Sequence, residues 1–512
     1  MVSSSSDPDS ATAQKEAKQY FDLFVAAFDE LHSAVIKQVN APGQYLSAHH
    51  DYPVMSLLDS GFPRFSESGF YDSRSPRNYV GTVRPGLGGL LSGLAKPSVD
   101  LPKGSELASF LRSHAIGKRL GVGLLGNIRI GSLVEDAVER YLHLYGLTAS
   151  IEAKRRNSII RSLALGTVFR THNLRLVVPI AMTHFEADRF PLTDTTYIAR
   201  IPRKLQLARA RMGTRGSGAE VMVVGAATHA FVSNGWSIDA DDVDGVRTSL
   251  GQLSTNVLDA ADTFFGALRV ATGISTGYAQ VLWIPKGWTL DYFCDLPPVY
   301  GTTVRRYPGE YDNYGWSNSG AIVTAADLKD VRRIYKAAAN SSSEAIRLAL
   351  KRLSGCLTRT DEADAILDGT IGLELLLGDD ENQALSYKLR LRAAALAMLQ
   401  ADPAHPPAEI ASKVKQLYKA RSVIVHGRRM KASKKASEPS DASRSSERLL
   451  ASDLLRFVLN VLLAHPQYQD DPAKIDAGLL LRGDESVGPP IAARSKKDGG
   501  SRGTAPRFER EV

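Results

Sequence analysis

Cysteine is scarce in this 512-residue chain, which contains only Cys294 and Cys356. Two cysteines exclude a disulfide framework and a four-thiolate zinc site. A reducing, cytoplasmic setting is therefore expected. The histidines do not change this view, because His172, His184 and His229 are scattered without a carboxylate or thiol at ligand spacing. No metal site and no cofactor are expected.

Long apolar runs are missing as well. The most apolar stretch, residues 449–463, is interrupted by Asp453, Arg456 and Asn460. A membrane-spanning helix needs about 20 predominantly apolar residues, so no membrane association is expected. The first residues lack the basic flank and apolar centre of a secretory signal, and residues 1–15 are expected to be a disordered lead.

Positive charge is concentrated in one segment. Residues 411–448 contain eleven Lys and Arg against three acidic residues, and this excess of +8 equals the net charge of the whole chain. A local basic surface indicates a polyanionic partner. The alternative is a solvated helix face that continues into a basic linker.

The N-terminal part predicts an α+β module over residues 16–310, with a possible further boundary near residue 150. Apolar residues at three-to-four spacing predict a helix at 12–40 and another at 253–270. Short β-branched runs predict strands at 174–181, 220–226 and 278–284. The sequence assigns no chemistry to this module, and His49 and His50 are interpreted as exposed polar residues of a loop.

The C-terminal part predicts an all-α helical bundle over residues 320–465, after an irregular aromatic boundary at 300–319. Six amphipathic segments are joined by short polar turns. They cover residues 325–338, 342–357, 364–377, 385–399, 407–431 and 447–464. Residues 466–512 are polar and are expected to form a flexible tail.

The most informative segment is LYKARSVIVHGRRM at residues 417–430. Leu417, Arg421 and Ile424 follow a helical rhythm, so Arg421 should lie on or beside the buried stripe, where a guanidinium needs a partner. Ser422 and His426 are four residues apart and share a face. Arg421 and His426 are five apart, an offset of about 140° on an ideal helix. A long side chain, a distorted helix or a second copy of the helix could bring the two together.

This segment resembles a known family. Arg421 and His426 match the Arg-x4–6-His signature of HEPN domains, in which a polar residue such as Ser422 often follows the arginine. Tyr418 and Gly427 are similar to the Apea-like branch of that family.

Two upstream helices carry the same resemblance, which covers roughly residues 320–465. Glu374 lies in DGTIGLELLL and Arg392 in SYKLRLRAA, and both segments resemble helices of the Apea-like branch. Glu374 and Arg392 are expected to act in support, either as a structural ion pair or by orienting Arg421 or His426.

The resemblance implies a bundle that often forms a homodimer and, in active members, a metal-independent endoribonuclease. His426 would transfer protons and Arg421 would stabilise charge on the phosphate, with Ser422 holding the imidazole or touching phosphate. Arg428, Arg429 and Lys431 would bind RNA. Members of the family frequently act in prokaryotic antiviral and toxin systems, which implies a role in defence or stress response and leaves open a partner protein encoded nearby.

Two other functions remain open from the sequence. Some HEPN domains bind RNA or assemble with proteins without cutting. Others are toxins that a partner nucleotidyltransferase modifies near the motif, where Tyr418 offers a hydroxyl.

Overall fold

A computed structural model describes most of the chain: residues 8–67, 75–83, 100–121, 123–212, 218–313, 320–379, 384–400, 405–426 and 441–481. The first two thirds contain, in order, α1 (Pro8–Val39), β1 (Pro53–Leu57), β2 (Pro63–Glu67), α2 (Pro102–Ser113), α3 (Ala115–Lys118), α4 (Gly123–Tyr145), α5 (Ala153–Val168), β3 (Thr171–Pro179), β4 (Thr183–Phe185), β5 (Arg189–Pro191), β6 (Thr196–Arg200), α6 (Arg203–Ala210), α7 (Val221–Gly225), β7 (His229–Asp239), α8 (Val243–Gly251), α9 (Thr255–Thr272), β8 (Tyr278–Pro285), β9 (Tyr300–Arg306) and β10 (Ala321–Val323). The last third contains α10 (Ala325–Asn340), α11 (Glu344–Thr358), α12 (Glu362–Leu377), α13 (Leu385–Ala397), α14 (Pro407–His426), α15 (Asp441–Ala464) and α16 (Ala473–Ile475). The fold is therefore mixed α and β.

A six-stranded antiparallel sheet organises the first part, in the order β5-β6-β7-β3-β8-β9. Side chains alternate across its central strand, so Leu176 and Val178 of β3 enter the main core while Val177 enters a smaller core on the opposite face. Phe231 of β7 stacks on Phe264 of α9 with ring centroids 4.5 Å apart. The sheet is thus covered on both faces.

The strand expected at 220–226 is wrong, because residues Val221–Gly225 form the short helix α7. A short apolar run does not distinguish a buried strand from a buried helix. Tertiary contacts decide here: the fully buried Arg209 donates to the carbonyl oxygens of Val224, Gly225 and Ala227. These bonds satisfy the carbonyl groups at and just after the end of the helix.

The boundary region expected to be irregular at 300–319 begins instead with strand β9, paired to β8 at one edge of the sheet. A glycine in this strand permits close pairing with its neighbour. Gly301 has a φ of +134°, and a Cβ atom there would lie 2.1 Å from the carbonyl oxygen of Val281. Glycine in a strand often marks such a close approach.

The predicted C-terminal helices are all present, and their ends within the described ranges differ from the predicted ones by at most six residues. The predicted end of the fifth helix, at about residue 431, lies outside the described residues. Side-chain caps explain where several of them begin: Thr324 and Asp327 form a reciprocal capping box at α10, and Ser343 and Asp361 cap α11 and α12. Helix start signals are local, which is why the sequence located them well.

The two parts of the chain share one apolar core. Helix α9 of the first part packs against α10, α11 and α15, and the continuous core includes residues from Tyr20 to Ile475. Residues 466–481, expected to belong to the flexible tail, form short helical turns that contact α13. None of the helices in the described ranges is long and apolar enough to cross a membrane.

Candidate functional site

Helix α14 carries the Arg-x4-His segment. Ile410, Val414 and Leu417 form its buried stripe, each at most 1% exposed. The next positions along this stripe are Arg421 and Ile424, and both are partly buried. The helical spacing therefore located Arg421 correctly at the margin of the core.

Arg421 is paired with Glu374 of the neighbouring helix α12. Its Nε atom lies 3.0 Å from Glu374 Oε1, although the N–H direction is too poorly aligned for a hydrogen bond. The hydroxyl of Tyr418, one turn earlier on α14, donates to the same Glu374 oxygen at 2.5 Å. The guanidinium carbon also lies 5.7 Å from the centre of the Tyr418 ring. One carboxylate therefore orients two side chains of α14.

The electrostatics of this cluster follow from its partial burial. Burial raises the pKa of Tyr418 above its usual range, and the hydrogen bond to Glu374 and the charge of that carboxylate raise it further. Tyr418 is consequently a protonated donor at neutral pH. The side chain of Arg421 is 31% exposed to solvent. Its two terminal nitrogens make no hydrogen bond with any residue that the structure describes. These nitrogens are available to an anionic ligand.

The last described turn of α14 is open to solvent. Ser422 is exposed, and Val423 and Val425 are 39% and 50% exposed. His426 is the final described residue of α14, and its side chain lies outside the description. Arg428, Arg429 and Lys431, expected to bind RNA, also lie outside the described residues.

Arg392 does not pair with Glu374, so the ion pair suggested by the sequence is wrong. Arg392 is 3% exposed, and its guanidinium donates to Asp379, to Asp476 and to the carbonyl oxygen of Leu377. These contacts join the end of α12, helix α13 and the segment that follows α15. Arg392 therefore stabilises the bundle and does not orient Arg421 through Glu374.

The sequence did not reveal which residues pair with Arg421 and Arg392. The contact between Glu374 and Arg421 joins residues 47 positions apart, and the contact between Arg392 and Asp476 joins residues 84 apart. Asp476 lies in the part of the chain interpreted as a tail. The sequence pointed to the hydroxyl of Tyr418 as a group open to modification, but it did not reveal the bond to Glu374, because a tyrosine at that spacing is equally typical of a core residue.

We expect Tyr418→Phe to lower the free energy of unfolding by about 1.5–3 kcal/mol, because a hydrogen bond to a charged group contributes about that much. Arg421→Gln should cost less than about 1 kcal/mol, since the ion pair is partly exposed. Urea denaturation followed by circular dichroism measures both values. Tyr387→Phe, at a 57% exposed tyrosine of α13, is the control. Equal stabilities of the two Phe variants would contradict a stabilising bond to Glu374.

Comparison of the chain with known protein families, with curated proteins and with solved structures found no match.

Proposed function

We propose that helices α10–α15 form a HEPN-like bundle and that the protein is a metal-independent endoribonuclease, with Arg421 and His426 as its catalytic residues. The observation that carries this proposal is the orientation of Arg421. Glu374 engages its Nε atom, which leaves both terminal nitrogens available on the helix that ends at His426. The two terminal nitrogens of this planar guanidinium have no hydrogen-bond partner among the described residues, and their N–H groups suit a phosphate group.

The chemistry requires few groups because RNA supplies its own nucleophile, the 2′-hydroxyl. A base removes the proton from this hydroxyl, an acid protonates the leaving 5′-oxygen, and a cation stabilises the pentacoordinate phosphate. Imidazole titrates near neutral pH and can take either proton-transfer role. The O5′–P bond breaks as the 2′-oxygen bonds to phosphorus, so the products are a 2′,3′-cyclic phosphate and a 5′-hydroxyl.

A homodimer would complete the site. One His426 cannot act as base and acid in the same step, whereas two copies of α14 would supply one imidazole for each role. Exposed Val423 and Val425 beside the motif support this arrangement, because a second copy of the helix would cover them. Ser422 would then hold an imidazole or contact phosphate from the same helical face as His426.

The surrounding sequence supports RNA as the polyanion. Arg428, Arg429 and Lys431 lie within five residues after His426 and would contact the RNA backbone. In this proposal the α+β part recognises the activating signal or the substrate. The biological setting would be cytoplasmic prokaryotic defence, stress response or toxicity, with a partner protein encoded nearby.

A non-catalytic RNA-binding or protein-assembly bundle is the second candidate, because the basic segment alone would bind RNA. Modification of Tyr418 by a partner nucleotidyltransferase is the third. This modification would require the Tyr418 hydroxyl to break its hydrogen bond to Glu374. It would also require the hydroxyl to lose its proton, although burial and the nearby carboxylate raise its pKa. Added mass on a peptide without Tyr418, after co-expression with neighbouring genes, would dismiss that residue.

The test uses the purified full chain and end-labelled single-stranded RNA, with EDTA added at mixing. We expect fragments that carry a 2′,3′-cyclic phosphate, which resists phosphatase until acid opens the ring. A gel shift without fragments would favour the RNA-binding function. If neither cleavage nor a gel shift is observed, with or without cell extract as a source of activator, both the ribonuclease and the RNA-binding function are contradicted.

A further inference from the structure

Three segments that are distant in sequence meet at His49, His143 and Cys294. His49 lies between α1 and β1, His143 is in the last turn of α4, and Cys294 lies between β8 and β9. One imidazole nitrogen from each histidine and the Cys294 sulfur all lie within 4.8 Å of one another. Two nitrogens and a sulfur are a donor set typical of zinc.

The cluster is enclosed by protein. The side chains of His49 and His143 are 18% and 7% exposed, and Cys294 is 2% exposed. Phe293 packs edge-on against His49, with ring centroids 5.3 Å apart, and Tyr79 contacts His143 at 4.9 Å. Water is therefore largely excluded from the space between the three ligand atoms.

Glu139 orients both imidazoles. Its Oε1 atom lies 3.1 Å from Nε2 of His49 and 2.9 Å from Nε2 of His143. The carboxylate is itself held by the backbone N–H groups of Tyr79 and Val80 at 3.1 and 2.8 Å. A carboxylate that fixes the ring orientation of neighbouring histidines is typical of the surroundings of a metal site.

The chain around Cys294 is also held in position. Cys294 has a φ of +46°, a left-handed conformation that costs energy for a residue other than glycine. Arg140, on α4 beside Glu139, donates through Nη1 to the carbonyl oxygens of Cys294 and Leu296 at 3.0 and 2.7 Å. Helix α4 thus supplies the ligand His143, the carboxylate of Glu139 that orients the histidines, and Arg140, which holds the backbone at Cys294.

We propose that His49, His143 and Cys294 bind a zinc ion, with Glu139 as a positioning residue. Zinc bonds of about 2.0–2.3 Å in a tetrahedron separate ligand atoms by about 3.3–3.8 Å. The two imidazole nitrogens and the sulfur therefore need to move closer together by about 1 Å when the ion binds. Binding replaces the thiol proton, which leaves to solvent, with a sulfur–zinc bond. The ion would cross-link the loops of His49 and Cys294 to α4.

The environment of Cys294 keeps the thiol protonated as long as no cation is bound. Burial raises the pKa of the thiol above its usual range, and the charges of Glu139 and Asp295 raise it further. A free thiol here stays protonated and unreactive at neutral pH. A divalent cation reverses that preference, because it stabilises the thiolate directly.

The experiment strips the full-length protein with a chelator and titrates it with zinc and with cobalt(II), without RNA. We expect one equivalent of either metal, and a thiolate-to-cobalt charge-transfer band in the near ultraviolet. Cys294→Ser should remove the band and, because it removes a direct ligand, weaken zinc binding by more than the roughly 10–100-fold that loss of an outer-shell partner costs, measured against a competing chelator. Cys356→Ser is the matched control, since this other buried cysteine lies on α11.

Binding without saturation at one equivalent, or identical titrations of the two Ser variants, would overturn the proposal. If Cys294→Ser fails to fold, the wild-type protein decides the question alone: saturable cobalt binding without the thiolate band excludes Cys294 as a ligand. Because the readout involves neither RNA nor Arg421, its failure is distinguishable from failure of the ribonuclease proposal.

Discussion

Replacement of His426 by alanine should reduce RNA cleavage by about 10²–10⁴-fold, the usual contribution of general acid–base catalysis, and should leave RNA binding nearly unchanged. Arg421→Gln should give a comparable loss, because the neutral amide cannot balance the charge that develops on the phosphate. Single-turnover cleavage of labelled RNA measures the rates, and a gel shift measures binding.

Matched controls separate these losses from general damage. His465→Ala removes a partly buried histidine at the end of α15, and Arg333→Gln removes an arginine that is 49% exposed on α10. Both should cleave at the wild-type rate. Cleavage by His426→Ala that equals cleavage by His465→Ala would remove the nuclease proposal.

Mixing the wild-type protein with the His426→Ala variant tests whether two protomers share one catalytic site. If each site needs both copies of His426, a dimer with one altered copy is inactive. Activity in equimolar mixtures of wild type and His426→Ala should then fall to about a quarter after subunits exchange, rather than to half. A fall to half would show that each protomer cleaves alone.

Arg392→Met should destabilise the protein by about 3 kcal/mol without a direct effect on the cleavage chemistry. Breaking a buried ion pair by removing one partner costs about 3–5 kcal/mol, and the lower end applies because Asp379 and Asp476 retain some exposure. The variant also leaves the carbonyl oxygen of Leu377 without its donor. Urea or thermal denaturation monitored by circular dichroism measures the change.

Arg347→Met provides the comparison, because Arg347 is 48% exposed and its ion pairs lie at the surface of α11. It should change stability by less than about 1 kcal/mol. A similar loss in both variants would contradict a special structural role for Arg392. A cleavage defect in Arg392→Met that persists under fully folded conditions would return Arg392 to the candidate site.

Local patterns predicted the helical third of the chain well. Helical periodicity and N-terminal caps depend on residues within a few positions of one another, so α10–α15 were located to within a few residues. The same locality identified Arg421 as a residue at the edge of a buried stripe. Strands were harder, because the short apolar run that became α7 fits either element until its neighbours are known.

By itself, the sequence determined the mixed composition of helices and strands, the helical C-terminal part and the position of the Arg-x4-His segment on one helix. Only the tertiary structure decided that Glu374 pairs with Arg421, that Arg392 pairs with Asp379 and Asp476, and that His49 approaches Cys294. The physical reason is that these contacts join residues far apart in the chain. Their formation depends on how helices and strands pack, which no local spacing encodes.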